Sequence, residues 1–472
     1  MKRLTPRCLF WILWAIFFAA GAYVLWFGSG QHLFAAPAPG TDQKSILECA
    51  LALLRGELPR EHYRYSYAYT LFLSFTALLA GGRLWLMRLL QLAVAALIPG
   101  VVFRTARILR CGRGPAFAAG LLSCFYAPLV LISLDFLRAA PLALCFALLA
   151  HTLAAFFSPL PHRAGTRSEL LPVAAGILAA LCALGRENFL AVAPIPLLFL
   201  KRRDALRYLG ATAVPLAAVL LFNLIRYGSF QLVPGNAGNI LDYYGGSGVG
   251  TFTALRNLLV AVPRHFADFC SSFELPNSLS VYAHREVIPF LRLLAVPFPL
   301  LLTLAGTGAA LRRRERAFRI LALLALFYMG SMLFFTVFYR FRIPPVPLLA
   351  VLAAGAAAPL KRALRQRRYL LPAVVAIALA ALNLLLHVDP ETRRSETEHA
   401  AVARVLIDNR RFGEAEEYLA RMMARGENAD PGVRLLLREM LRAGETQEAQ
   451  AAARRFEQRQ RERSATGCSR AE

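Results

Sequence analysis

Apolar residues in this chain gather into long blocks. Twelve can be marked, at 8–28, 66–82, 84–103, 115–134, 137–157, 171–185, 187–200, 208–225, 291–311, 317–339, 344–358 and 369–387. A helix needs about 20 apolar residues to cross the hydrocarbon core of a bilayer. Several blocks are shorter and are expected as half-helices or re-entrant segments. The pattern predicts an all-α polytopic membrane protein with about 11 transmembrane helices in a membrane domain over 1–387, and a small helical soluble tail over 388–472. Block 8–28 follows basic residues but has no convincing small-residue cleavage site, so it reads as a retained anchor rather than a cleaved signal.

The basic residues between the blocks assign sides. Clusters at Arg104–Arg113, Lys201–Arg207, Arg312–Arg319 and Lys361–Arg368 read as cytoplasmic, as does the N-terminus. The loops 29–65 and 226–290 and the tail then face outward, in the periplasm or outside the cell, which suits a bacterial inner membrane. An inside start and an outside tail require an odd number of crossings, so one of the twelve blocks is not expected to cross. Loops longer than about 15 residues are usually functional or disordered, and these two are too aromatic for disorder. Together they could cover a cavity at the membrane rim.

Composition agrees. The chain has 472 residues, 57% of them hydrophobic, and a mean hydropathy of +0.48, too apolar for a soluble protein of this length. Its net charge of +25, from 54 Lys and Arg against 29 Asp and Glu, would ordinarily suggest nucleic acid. Here the charge sits between apolar blocks, which fits membrane topology and anionic lipid instead, and no nucleic acid is expected. Of eight Cys, five lie in or beside apolar blocks and behave as small hydrophobes. Cys49, Cys270 and Cys468 could lie outside, where a disulfide between two of them is an option. No Cys or His spacing suggests a metal.

The tail changes character. It is charged and helical in pattern, and Glu414-Ala415 and Glu448-Ala449 recur 34 residues apart. That is the period of tetratricopeptide helix pairs, and about one and a half repeats fit. A tail of this kind could hold a protein partner; a plain charged helical tail is the alternative.

Candidate chemistry begins at Asp42. It opens a short amphipathic stretch ending at Gly56, with Ile46, Ala50, Leu53 and Leu54 at helical spacing and Gln43, Lys44 and Glu48 on the polar face. A carboxylate in the first turn of such a helix is favoured in its ionised form and could act as a catalytic base; the bland reading is a helix cap. Arg60 and Arg64, among aromatics that end with Tyr69, could contact a phosphate. The Gly235–Asn239 stretch is a turn, with Asn236 as a candidate binding residue. Glu274 and Asn277 set a carboxylate and an amide near the membrane. Arg186 and Asn188 form a polar turn between two blocks. Arg340 and Arg342 stand where a helix meets the outer surface, a place the positive-inside pattern disfavours, and a phosphate is their natural partner.

Taken in order, these stretches resemble the large membrane glycosyltransferases of the GT-C type, most nearly the bacterial family-39-like proteins related to protein mannosyltransferases and aminoarabinose transferases. Asp42, Ile46, Ala50 and Gly56 match a family pattern, except that an aromatic is missing at Ile46. Ser66-Tyr67-Ala68-Tyr69 is similar to the family's Ser-Pro-Leu-Tyr. Arg88–Gln91, Arg186-Glu187-Asn188, an Asn…Gly…Gly-Gly loop at Asn223, Gly228 and Gly235–Asn239, Glu274–Asn277 (one residue shorter than the family's loop) and Arg340–Pro344 resemble further stretches. The resemblance covers nearly the whole membrane region. It implies Asp42 in catalysis, as base or acceptor-positioning group. It also implies a polyprenyl-phosphate-linked sugar donor and a lipid, glycan or protein acceptor. Many members carry a second acid before a proline, and Ala139-Ala140-Pro141 occupies that place here, with Asp135 one turn earlier. A divalent metal is therefore an option without a clear second ligand. A transporter or flippase of lipid-linked saccharides, or a non-catalytic scaffold acting through its tail, are the competing functions.

Overall fold

The computed structural model describes residues 4–30, 33–34, 37, 41–58, 66–158, 166–230, 232, 251–276, 280–335, 337–388, 396–425 and 428–468. Among them the fold is helical throughout, apart from an isolated antiparallel bridge between Tyr126 and Ala295. The first ten helices are α1 (Pro6–Gly30), α2 (Asp42–Leu54), α3 (Tyr67–Ala80), α4 (Leu84–Ala95), α5 (Leu97–Ile108), α6 (Arg113–Cys124), α7 (Ala127–Ile132), α8 (Ala139–Phe157), α9 (Thr166–Gly185) and α10 (Arg202–Tyr227). The principal later helices are Thr251–Cys270, Val281–Val287, Phe298–Leu311, Arg316–Met332, Val346–Arg365 and Leu370–Leu385, then four in the tail.

Among the described residues five helical stretches are long and apolar enough to cross a membrane: Pro6–Gly30, Leu84–Ile108, Ala139–Phe157, Arg202–Tyr227 and Val346–Arg365. Shorter apolar helices occur at Tyr67–Ala80, Glu169–Gly185, Glu187–Leu198, Phe298–Leu311 and Leu370–Leu385. The expected twelve blocks are therefore uneven. Block 115–134 is two helices rather than one, because Pro128 starts a new helix after Tyr126 and the intervening backbone bonds elsewhere. Ala127 N–H donates to Leu294 O (3.3 Å) and Val296 N–H to Phe125 O (3.2 Å). Block 187–200 is a pair of 3₁₀ turns, Glu187–Leu198 being broken by Pro194 and Pro196.

The chain divides into two compact units. The first comprises Met1–Tyr23, Ala36–Asn277 and Leu294–His387. Its centre is α8, whose Leu142, Phe146, Leu149 and Leu153 are buried. α10 instead exposes Leu206, Leu209, Val214, Leu221, Leu224 and Ile225, as a lipid-solvated helix does. Phe298–Leu311 crosses Val346–Arg365 so closely that a Cβ at Gly308 would come within 1.8 Å of Leu352 O. Only glycine permits this backbone approach. α2 packs on α3, where the Ser74 hydroxyl donates to Ala50 O (3.0 Å). Ile46, Leu47 and Ala50 are buried as their spacing suggests, whereas Leu54 is exposed. Gln43, expected on the polar face, is buried.

The second unit comprises Val24–Ala35, Ser278–Leu293 and Val388–Glu472, so the tail is joined there by two segments that the sequence pattern assigns to the first apolar block and the second long loop. Within it Val281–Val287 packs on Glu396–Asp408. The tail helices Glu396–Asp408, Phe412–Ala424, Asp430–Arg442 and Thr446–Cys468 repeat their turns at the sequence period. Arg410 and Gly444 both take positive φ. Arg411 N–H donates to Leu406 O and Glu445 N–H to Met440 O, both at 3.0 Å, the bonding that closes a helix with a left-handed residue. Ala415 and Ala449, the repeated alanines, are both buried.

Candidate functional site

Asp42 is the first residue of α2, and Thr41 is its cap, with Thr41 Oγ1 accepting from Lys44 N–H (3.4 Å). The capping role is thus filled and the Asp42 carboxylate is spent elsewhere: Arg340 Nη1 donates to its Oδ2 at 2.8 Å. Arg340 stands in the 3₁₀ turn Tyr339–Phe341, held by Tyr339 N–H donating to Leu275 O (2.9 Å) and followed by Pro344-Pro345 at the entry to Val346–Arg365. Residues 298 positions apart are joined at one place.

Cationic groups surround this pair. The Arg186 guanidinium lies 3.8 Å over the Phe341 ring, and that of Arg340 lies 5.3 Å from the same ring. Arg138, at the start of α8, is within electrostatic reach of Arg186, Glu187, Arg340 and Asp42. Arg138 Nη1 and Arg186 Nε are buried without a hydrogen-bond partner among the described residues. A buried donor left unmade costs about 1–3 kcal/mol, more when charged. Three guanidiniums therefore gather around Asp42 and Glu187, and Arg138 and Arg186 each keep a buried donor in hand, which is the chemistry of an anion site.

A second carboxylate adjoins the first. Asp135 lies in the turn between α7 and α8. Its backbone turn is fixed by α4: Arg88 Nε donates to Leu134 O (3.1 Å), and Gln91 Nε2 to Ser133 O (3.0 Å) and Asp135 O (2.6 Å). Gln43, the neighbour of Asp42, donates to Asp135 Oδ2, and Phe136 N–H donates to Oδ1 (2.9 Å). Burial pushes Asp135 up to about 6, against the opposing charges of Arg88 and Arg340. Sequence reasoning placed Asp135 near the expected second acid but not in the site. The signal that could have found it is an acid directly following an apolar run.

The raised value has a consequence for stability. An Asp in the unfolded chain titrates near 3.9, so the folded protein holds the extra proton between about pH 4 and 6. The stabilisation tied to that proton is complete below about pH 4 and is lost as pH rises through about 6. Asp135→Asn mimics the protonated side chain. It is expected to unfold several degrees above the parent at pH 7.5 and at the same temperature near pH 4. A pH-independent difference in Tm rejects the assignment.

The remaining expected residues fall in different places. Arg342 and Glu274 are engaged with each other in the interior. Arg342 Nη1 lies 3.2 Å from Glu274 Oε2 and 3.1 Å from Ser271 O, its Nη2 donates to Asp268 O, and Tyr126 OH donates to Glu274 Oε1 (2.9 Å). Tyr69 is buried, its hydroxyl donating to Gln91 Oε1 (2.7 Å), so it braces the Gln91–Asp135 turn. Asn188 Nδ2 donates to Ser331 O (3.1 Å). Arg60, Arg64, Asn236 and Asn277 lie outside the described residues. The thiols of Cys49 and Cys270 are free.

Asp42 is occupied by Arg340 and Asp135 by Gln43 and the Phe136 amide, with guanidiniums close by. Among the described residues no three His, Cys, Asp or Glu side chains converge.

No family model and no curated protein matches the chain. Solved structures do. ArnT from Cupriavidus metallidurans in the apo state is 18% identical, with a TM-score of 0.47 over 90% of this chain and 74% of that one. The same protein bound to undecaprenyl phosphate is 17% identical, with a TM-score of 0.48 over 90% of this chain and 75% of that one. The Archaeoglobus fulgidus oligosaccharyltransferase in the apo form is 13% identical, with a TM-score of 0.45 over 78% of this chain and 55% of that one.

Proposed function

We propose that this chain is a GT-C type membrane glycosyltransferase that moves a sugar from a polyprenyl-phosphate donor to an acceptor hydroxyl on the outer face of a bacterial inner membrane. The observation that carries the reading is the Asp42–Arg340 pair at 2.8 Å, flanked by Arg138 and Arg186. A function is argued from its site rather than its fold, and this site has the two parts that the reaction needs.

The acceptor oxygen attacks the sugar C1 while the C1–O bond to the lipid phosphate breaks. The acceptor proton passes to the Asp42 carboxylate. The negative charge left on the phosphate meets Arg340, Arg138 and Arg186, whose fixed donors stabilise it as it develops. Arg340 is held by Asp42 without the donor. A donor phosphate competes for that guanidinium, and on binding frees the carboxylate to face the acceptor. Donor before acceptor is the binding order this implies. In the same reading the tail is a tetratricopeptide-like pair of helix hairpins available to a protein partner.

The direct test is the purified chain with polyprenyl-phosphate sugars and a panel of acceptors, with products detected by mass. Absence of any sugar transfer across such a panel counts against the reading. Arg340→Ala is expected to raise the apparent donor KM about 10- to 100-fold, since each charge-assisted hydrogen bond is worth about 1.5–3 kcal/mol. An unchanged donor KM separates Arg340 from the phosphate.

A further inference from the structure

We infer that the Thr251–Cys270 helix lies in the head-group boundary of the bilayer, seated on lipid rather than on protein, and sets the depth of the Arg340 turn. This rests on the chain being a membrane protein and not on the transfer reaction.

The helix has three faces. Leu258, His265 and Phe269 are buried and fix it to the first unit. His265 Nδ1 bonds the Leu333 carbonyl at 2.8 Å, and the Phe269 ring meets that of Phe298 at 5.6 Å. A second stripe, Phe252, Leu255, Leu259 and Phe266, recurs at i, i+3, i+7 and i+14 and is exposed. On the third face Asn257 and Arg264 are exposed and Asp268 is half-buried, with Arg264 and Asp268 3.9 Å apart.

Charge decides the depth. With Arg256, Arg264 and Asp268 the helix is too charged to be one of the spanning segments. An apolar stripe beside a basic flank is what an interfacial helix presents. Arg256, exposed beside the stripe, is complementary to anionic head groups, which makes lipid the occupant favoured over a second copy of the chain.

The helix ends where the Arg340 region is braced. Asp268 O, Ser271 O and Ser271 Oγ all accept from Arg342, two residues from Arg340. A helix floating at fixed depth therefore holds the cationic turn at fixed depth, within reach of a phosphate at the membrane surface.

The test is spin-label accessibility on the full chain, with exposed Cys8 replaced by serine, in vesicles of phosphatidylethanolamine and phosphatidylglycerol. Labels at Leu259→Cys and Phe266→Cys are expected to be several-fold more accessible to oxygen than to a water-soluble nickel chelate, with the reverse at Asn257→Cys and Arg264→Cys. If one stripe variant fails to fold, Leu255→Cys reports the same face. Water-like accessibility at all sites overturns the inference. Stripe labels shielded from both reagents overturn it as well, by showing that protein covers the face. Neither readout depends on sugar transfer, so a failed transfer assay leaves this result standing.

Discussion

Asp42→Asn is expected to lower kcat for sugar transfer by about 10²- to 10⁴-fold, the usual contribution of a positioned general base, while the protein folds as before. The fold argument is local. Thr41, not Asp42, caps α2, and Asn can still accept from Arg340 through its side-chain carbonyl. What is lost is the negative charge and the ability to take a proton. A second effect runs the other way: Arg340, no longer paired to a carboxylate, is freer to meet the donor phosphate. The donor KM should therefore fall or stay level while kcat collapses, a split that distinguishes removal of chemistry from removal of binding. Full activity in Asp42→Asn rejects the catalytic assignment. Equal losses in kcat and in donor binding point to Asp42 as an organiser of Arg340 alone.

The same region shows what a sequence can and cannot convey. Block periodicity anticipates the helices, because apolar runs and turn residues act locally. It also anticipates burial of Ile46 and Ala50 on α2. It misassigns Gln43, since one buried amide bonded to Asp135 overrides the period of a whole helix. Arg340 and Arg342 look equivalent in sequence, two cations at i and i+2 beside a proline. They differ in space because successive side chains in a tight turn diverge: one reaches Asp42 and the other Glu274. Asp135 is visible as an acid after an apolar run, but its role stays hidden for a related reason. Its role comes from Gln43 and Arg340, which are far away in the chain, and no spacing rule links such positions.

Breaking the buried pair is the largest expected effect on stability. Glu274→Ala leaves the Arg342 guanidinium, 1% exposed, without its counter-charge. Removing one partner of a buried ion pair costs about 3–5 kcal/mol, because the charge left behind is desolvated and unpaired. The Asp42–Arg340 pair behaves differently. Its side chains are only partly buried, 33% and 18% exposed, so water reaches whichever charge remains and its removal costs less than that of the fully buried pair. Thermal unfolding in detergent should therefore rank Glu274→Ala far below the parent and Arg340→Ala nearer to it. Removing both charges at once, as Glu274→Leu with Arg342→Met, should recover most of the loss, since apolar replacement of a whole buried pair is often neutral or stabilising. If Glu274→Ala is as stable as the parent, Arg342 has another use, and a role in binding substrate returns. If the double variant is stable but its donor KM rises, the pair acts by placing Arg340, two residues away on the same turn.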